Sequence, residues 1–323
     1  MSLESLLSTL SDGEFHTGDE LGRDLHVSRT AVWKQLKKVA KMGIPLTSIR
    51  GKGYRIEGGL DLLSRDLITE NLSLKARQLI TSLEVLSVVD STNINAMTKA
   101  VEGNSGYVCT AEQQTAGKGR HQRNWVSPYG ANLYFSVVWE FAGGIAALQG
   151  LSLAVGVTVA DALSNAGIEG VQLKWPNDVL HEQRKLAGIL LEITGDAAGP
   201  CQVVVGIGIN VNMPKTVEID QPWTDVNSIL ERGISRSELL ARLLNELMPM
   251  LSRFDQLGFG AYRDRWQMRD AYYGKEVHLI VGNQMITGTA EGVDDAGAIV
   301  VQTAAGRKTF TGGEVSLRGA ETN

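Results

Sequence analysis

Apolar positions recur along this chain in three different rhythms. In DELGRDLHVSRTAVWKQLKKVAKMGI (residues 19–44), Leu21 and Leu25 share one helical face and Val32, Leu36 and Val39 another. This spacing predicts two helices, with His26 and Val27 as the turn between them and the Ser28 hydroxyl capping the second. IRGKGYRI follows, a Gly-Lys-Gly tip between residues of strand preference, as in a short hairpin. A helix-turn-helix with a basic hairpin beside it is a winged helix. Farther on, VLSVV (residues 85–89), GYVCTA, NLYFSVVW, GVQLKW, LAGILLEI and CQVVVGIGINV alternate with helical stretches such as ALQGLSLAVGVTVADALSNAG. Such alternation predicts an α/β domain of about two hundred residues. From Tyr272 the texture changes to KEVHLIV, QMITGTAEGV, GAIVVQT and RKTFTG between short turns, which predicts a small β-meander or barrel. Gly58-Gly59 and the polar residues near Ser64 mark the first boundary. The expected division is 1–62, 63–271 and 272–323.

Charge sharpens the first segment. The 323-residue chain has a formal net charge of -5 and is 43% hydrophobic, an ordinary globular balance. Yet His26 to Ile56 holds eight basic residues and no acidic one. Lysine stripes are commonly the solvated face of an amphipathic helix. Here no acidic residue stands four positions away to compensate them, and the hairpin is basic too, which favours duplex DNA. Lys34, Lys37 and, on the wing, Lys52 are then expected on phosphates, Ser28 at the helix start, and Arg29, Thr30 and Trp33 near base edges. With only Cys109 and Cys201 there is material for neither a disulfide framework nor a cysteine metal site, so a reducing cytoplasm is expected. The first residues lack a basic, cleavable leader, and no apolar run approaches the ~20 residues that cross a bilayer.

Candidate chemistry centres on TAGKGRHQRNW (Thr115 to Trp125), a knot of positive charge in a mildly acidic protein. Each Gly-Lys pair lacks the Ser or Thr that must follow in a phosphate-binding P-loop, and GIGIN (residues 206–210) lacks the closing glycine and helix of a dinucleotide fingerprint. Two descriptions remain: a loop in which Gly117 and Gly119 let backbone approach an anion neutralised by Lys118, Arg120 and Arg123, or a solvated surface loop. KWPND (residues 174–178) combines a rigid turn with a cation, an amide and a carboxylate, or is a plain type I turn with Pro176 at its second position. In RKLAGILLE, Lys185 opens a strand-like run whose Ala187-Gly188 pair leaves space against the backbone, or is an exposed strand-end lysine.

Taken together, DSTN (residues 90–93), EQQTAGKGR, KWPND, RKLAGILLE and GIGINVN resemble the biotin protein ligases in order and spacing. With the winged helix and the last β segment, nearly the whole chain is similar to the bifunctional bacterial members that also repress the biotin operon. The resemblance implies a central fold like that of class II aminoacyl-tRNA synthetases and an SH3-like β-barrel at the end. It also implies a two-step reaction: the biotin carboxylate attacks the α-phosphorus of ATP to give biotinyl-5'-adenylate and pyrophosphate, and a lysine of a biotin carboxyl carrier protein then takes the acyl group. Magnesium is expected with the nucleotide, and no residue is implied as a metal ligand.

Carried over onto this sequence, Ser91, Thr92, Asn93 and Gln114 would line the biotin pocket and Gly117 would offer its N–H. Lys118, Gly119 and Arg120 would face the phosphate, with Lys185 between biotin carboxylate and α-phosphate. Gly188, Gly206 and Gly208 would keep the ligand site clear. Asn177, Asn210, Trp223 and Arg318 would lie by the nucleotide, and Asp178 would orient the incoming amine or accept its proton. Lys118, Arg120, Asp178 and Lys185 form the implied catalytic set. The implied partners are the carrier protein, operator DNA and a second copy of the chain when adenylate is bound. Departures are His121 and Gln122, where some members have Arg and Gly, Lys118 for arginine, and a short TGDAAGP stretch (residues 194–200) where dimer contacts would lie. A lipoate-type ligase and a biotin-sensing transcription factor without ligase activity are the competing expectations.

Overall fold

The computed structural model describes residues 3–195, 199–281, 284–311 and, as backbone only, 315–319. The chain opens with α1 (Leu3–Leu10), α2 (Gly18–Asp24) and α3 (Arg29–Lys41), followed by the paired strands β1 (Leu46–Ile49) and β2 (Gly53–Ile56). The helix starts are fixed by side chains. Thr17 and Glu20 form a reciprocal capping box on α2, and the Ser28 hydroxyl accepts from Ala31 N on α3. Val32, Leu36 and Val39 are buried, and Arg29, Thr30, Trp33, Lys34 and Lys37 are exposed, as their spacing predicts. Helix α1, which that reading did not include, buries Leu6, Leu7 and Leu10 beneath them. On the wing, the guanidinium of Arg55 lies 4.7 Å from the Phe15 ring and the Lys52 ammonium 5.9 Å, so an aromatic floor supports the basic hairpin.

The middle of the chain runs α4 (Arg65–Glu70), α5 (Leu74–Leu79), β3 (Ser82–Val89), α6 (Thr92–Val101), β4 (Tyr107–Gln114), β5 (Leu133–Phe141), α7 (Leu151–Asn165), β6 (Val171–Lys174), β7 (Asp178–His181), β8 (Arg184–Gly195), β9 (Cys201–Ile209), α8 (Val226–Leu230), α9 (Arg236–Leu257) and α10 (Gly260–Met268). Among the described residues these strands form one seven-stranded sheet in the order β3-β4-β5-β9-β8-β7-β6. Strands β3 and β4 are parallel because α6 crosses between them, and the remaining pairs are antiparallel. Helix α7 is apolar on nearly every side and buried accordingly. Strand β7 has no counterpart among the strands that the sequence pattern predicts, and in place of the type I turn expected at KWPND stands a three-residue connection with a cis Trp175–Pro176 peptide.

The last strands, β10 (Glu276–Val281), β11 (Gln284–Val293), β12 (Ile299–Thr303), β13 (Gly306–Phe310) and β14 (Val315–Gly319), make an antiparallel five-stranded sheet. Its inward residues Val277, Leu279, Ala290 and Ile299 join the core of the middle region. The winged helix keeps its own core, closed by Tyr129 from the middle region. Between the two, the linker is held rather than free. Arg236, at the start of α9 and 1% exposed, donates to the Asp61 carbonyl, to Asn132 O and to Glu112 Oε2 at 2.7 Å, while Glu112 Oε1 accepts from Leu63 N at 2.6 Å. No helix among the described residues is long and apolar enough to cross a membrane.

Candidate active site

The glycine-rich knot is a tight hairpin. It leaves the end of β4 with Thr115 N and Ala116 N bonded to Val89 O and Asp90 O. It returns through Gly119 N to Arg123 O (2.7 Å), Arg123 N to Arg120 O (3.2 Å) and Trp125 N to Gly117 O (2.9 Å), with Lys118 opposite Asn124. At its tip His121 and Gln122 both have left-handed φ, 54° and 59°, as a two-residue type I′ turn requires. Gly117 is fixed by the return strand, because a Cβ there would lie 2.5 Å from Trp125 O.

The hairpin roofs a cavity of about 850 Å³, roomy enough for a drug-sized ligand. Lys118, Arg120, Arg123 and Lys185 bring positive charge to it, and Asp178 opposes them. Lys185 Nζ lies 2.7 Å from Asp178 Oδ1 and 5.3 Å from the Trp125 ring centre. Its backbone is clamped on both sides: Lys185 N donates to Pro222 O, and Lys185 O accepts from Thr224 N and Asn210 Nδ2. Arg120 Nη1 donates to Asn177 Oδ1 at 3.5 Å, and Asn177 in turn exchanges bonds with Ile189. Burial lowers the affinity of the Arg120 guanidinium for its proton, Asp178 opposes that effect and Arg123 adds to it. A guanidinium so placed stays charged, since its ordinary pKa is far above neutrality.

At the other end the cavity floor is polar. Thr92 N and Oγ1 both point to Gln114 Oε1, at 2.9 and 3.1 Å. Gln114 Nε2 donates to Ser127 Oγ, and Asn93 Nδ2 to Glu192 Oε2 at 2.7 Å. The wall beside it is the Trp125 ring, which occupies the room left at Gly188 and Gly208: a Cβ would meet the ring at 2.9 and 2.5 Å. Room at Gly206 is taken by the Asn93 amide. The indole Nε1 of Trp125 is buried without a hydrogen-bond partner, an unused donor beside the floor.

Of the residues singled out from sequence, Ser91, Thr92, Asn93, Gln114, Lys118, Gly119, Arg120, Asn177, Asp178, Lys185, Gly188, Gly206 and Gly208 line this one cavity. Gly117 stands behind it. Asn210 is buried with its amide nitrogen on Lys185 O and Thr224 O, and so braces the lysine strand. Trp223 pairs with Lys185 through backbone and does not line the cavity, although Glu218 to Pro222 before it do. Arg318 lies on β14 opposite His278, its side chain outside the described residues, as are Asp196 to Ala198 of the short stretch after β8. The charge pattern of the knot gives no sign of Trp125 as a wall, and no local pattern marks Tyr272, which also lines the cavity. Among the described residues no three His, Cys, Asp or Glu side chains cluster as metal ligands would.

Comparison with known proteins follows the same division. Residues 85–210 match the biotin/lipoate A/B protein ligase family, 272–318 the biotin protein ligase C terminal domain, and 3–55 an HTH domain. The chain is 40% identical to the bifunctional ligase/repressor BirA of Salmonella typhimurium over 98% of both proteins. It is 34% identical to the biotin–[acetyl-CoA-carboxylase] ligase of Paracoccus denitrificans over 73% of this chain and all of that one. The structure of the Aquifex aeolicus biotin protein ligase in complex with biotin and ATP superposes with a TM-score of 0.65 at 31% identity, covering 75% of this chain and 100% of that one.

Proposed function

Because this chain belongs to the family of bifunctional biotin protein ligases and repressors, we propose that the cavity beneath the hairpin activates biotin with ATP and passes it to a carrier protein, and that the winged helix represses the genes of biotin synthesis. The protein is a ligase with a DNA-binding repressor domain. The observation that carries the chemistry is the convergence of Lys118 and Arg120 on the hairpin with Lys185 from a distant strand on one cavity that is polar at its far end and walled by an indole. Biotin has that shape of need: a urea ring at one end, an apolar body, and a carboxylate that must meet a phosphate.

Adenylation joins two anions, so the barrier falls when fixed cations stand where charge gathers. Lys185, held by its clamped backbone, faces the meeting point of carboxylate and α-phosphate. Arg120, oriented by Asn177, and Lys118 on the hairpin neutralise the phosphate. Pyrophosphate leaves as the bond between the α- and β-phosphates breaks; Mg²⁺ accompanying ATP would be held by the phosphates rather than by a protein cage and would supply charge neutralisation there. In the second step the ε-amine of the carrier lysine attacks the mixed anhydride carbonyl, the carboxyl–phosphate bond breaks and AMP departs. Asp178 would orient that amine and take its proton. Asn210 and Trp223 support the nucleotide end through the loop that clamps Lys185, and Arg318 is assigned to the same end.

The regulatory arm uses the exposed face of α3 with Arg29, Thr30 and Trp33 toward bases and Lys34, Lys37 and Lys52 toward phosphates. Strand β7 covers β8 only from Arg184 to Gly188, and the rest of β8 offers an open edge to a second copy or to the carrier protein. Cytoplasm, where carrier protein, ATP and operator meet, is the compartment this function requires. ATP–pyrophosphate exchange tests the assignment: exchange dependent on biotin and indifferent to lipoate is expected, and exchange driven by lipoate, or none with biotin, would overturn it.

A further inference from the structure

Two serines that do not reach the cavity stand directly behind its polar floor. Ser136, on β5 and fully buried, places Oγ 2.7 Å from Asn93 Oδ1 and 2.9 Å from Thr92 Oγ1. Ser127, 7% exposed, receives Gln114 Nε2 at 3.0 Å and donates to Trp125 O at 2.9 Å. Neither lines the cavity, whereas Thr92, Asn93 and Gln114 all do.

Hydrogen counting gives these contacts a direction. Gln114 must turn its carbonyl oxygen to Thr92, because Thr92 N–H can only donate. Its amide nitrogen therefore faces Ser127, whose own hydrogen is committed to the Trp125 carbonyl and whose oxygen is free to accept. One N–H of Gln114 is used there, and the second remains for the cavity. Asn93 likewise sends its nitrogen to Glu192, so its carbonyl oxygen faces Ser136 and takes that hydroxyl's only hydrogen. With the Ser136 hydrogen spent on Asn93, the 2.9 Å contact between the two hydroxyls needs the Thr92 hydrogen, which points inward to the Ser136 oxygen and leaves the Thr92 lone pairs to the cavity. The floor thus offers one acceptor beside one donor.

We propose that Ser136 and Ser127 are positioning residues that set the hydrogen-bond polarity of the acyl pocket, Ser136 by holding the Thr92 hydroxyl as an acceptor and Ser127 by holding the Gln114 amide as a donor, so that the pocket selects a cyclic urea. The edge of a urea carries an N–H next to a C=O, the complement of this pair. A dithiolane ring offers neither and would leave both groups buried and unpaired, which discriminates strongly. This inference rests on biotin being the acyl substrate.

The test is a pair of mutant cycles read in steady-state ATP–pyrophosphate exchange with the full chain. Ser136→Ala is expected to raise KM for biotin about ten- to thirtyfold, the effect of one misdirected buried hydrogen bond, and to leave KM for ATP within about twofold. In a Thr92→Val background, which removes the hydroxyl without changing shape, Ser136→Ala should lose most of that effect, the remainder being its bond to Asn93 Oδ1. Ser127→Ala is expected to behave in the same way in a Gln114→Met background, and that cycle decides the matter if Ser136→Ala does not fold. Unchanged KM for biotin in both single variants, equal losses for biotin and ATP, or a full second loss in the Thr92→Val and Gln114→Met backgrounds would each overturn the proposal. A wild-type chain inert toward biotin would instead refute the substrate assignment beneath it.

Discussion

Lys185 Nζ stands 2.7 Å from Asp178 Oδ1, and the two side chains are only 16% and 17% exposed. The pair joins a residue proposed for the first chemical step to one proposed for the second, so neither charge is available to the other's task without a change of partner. On the proposed mechanism an arriving carboxylate and phosphate would compete for the lysine and release Asp178 toward the incoming amine.

Removing the ammonium should strike adenylation first. Lys185→Met is expected to lower the rate of biotin-dependent pyrophosphate exchange by about 10²–10³, the usual effect of deleting one group that stabilises developing charge. Stopped-flow measurement of adenylate formation checks this. A variant within about threefold of wild type would remove Lys185 from the reaction.

Asp178→Asn should separate the steps in the opposite sense. The amide can still orient an amine but takes no proton, so transfer from preformed biotinyl-adenylate to the carrier domain should slow by about 10²–10⁴, the usual range for a lost general base. Adenylate formation should change less, since the asparagine leaves the Lys185 side chain and its clamped backbone in place. Single-turnover transfer, started from purified adenylate complex, gives the comparison.

At the hairpin tip, His121 and Gln122 hold a turn that normally carries Asn-Gly. Left-handed non-glycine residues cost about 1 kcal/mol or more each, so the closed hairpin is less stable here than its hydrogen bonds alone would make it. Gln122→Gly should relieve part of that cost and slow the release of biotinyl-adenylate about threefold to tenfold, measured by chasing labelled adenylate. Release at an unchanged rate would show that closure does not limit escape.

The sequence patterns that were legible are those with a physical period. Val32, Leu36 and Val39 mark a helix face wherever they occur, and the apolar runs of β4, β5 and β9 are buried on both faces of the sheet. The cationic residues of the site were legible because Lys118, Arg120 and Lys185 stand in strings with a family resemblance. Strand β7 was hidden because four residues after a proline turn carry too little alternation to register. Trp125 as a wall depends on Gly188 and Gly208 lying across from it, a relation made only by the fold. The link between Glu112 and Arg236, 124 residues apart, has no sequence signature at all.

That link should nonetheless dominate the stability of the domain junction. Glu112 is 4% exposed and Arg236 1%, and Glu112 also receives Leu63 N from the linker. Glu112→Leu leaves a buried guanidinium short of its counter-charge and should cost about 3–5 kcal/mol. Glu112→Leu with Arg236→Met removes both charges and should recover a large part of that loss. Urea unfolding followed by tryptophan fluorescence checks the sign. A double variant no better than the single would mean that packing, not the unpaired charge, sets the cost.

The hinge into the last β-domain carries its own pH signature. Burial pushes the Asp270 carboxyl up from 3.8 to about 6, against the opposing pull of the Tyr272 N–H and the Lys275 charge. Its other oxygen, Oδ2, is buried with no partner. Because the folded value lies above the unfolded one, the folded state binds the proton more tightly. The stabilisation this proton provides is complete below about pH 4, declines as pH rises and is gone above about pH 6. Ionised at neutral pH, Asp270 therefore weakens the hinge, and Asp270→Asn, which keeps an acceptor for Tyr272 N, should raise stability at pH 7 by about 1–2 kcal/mol. At pH 4 the same substitution should be nearly neutral. Melting temperatures of both proteins between pH 4 and pH 7.5 give the comparison. A gap that stays constant across that range would mean that Asp270 does not titrate there.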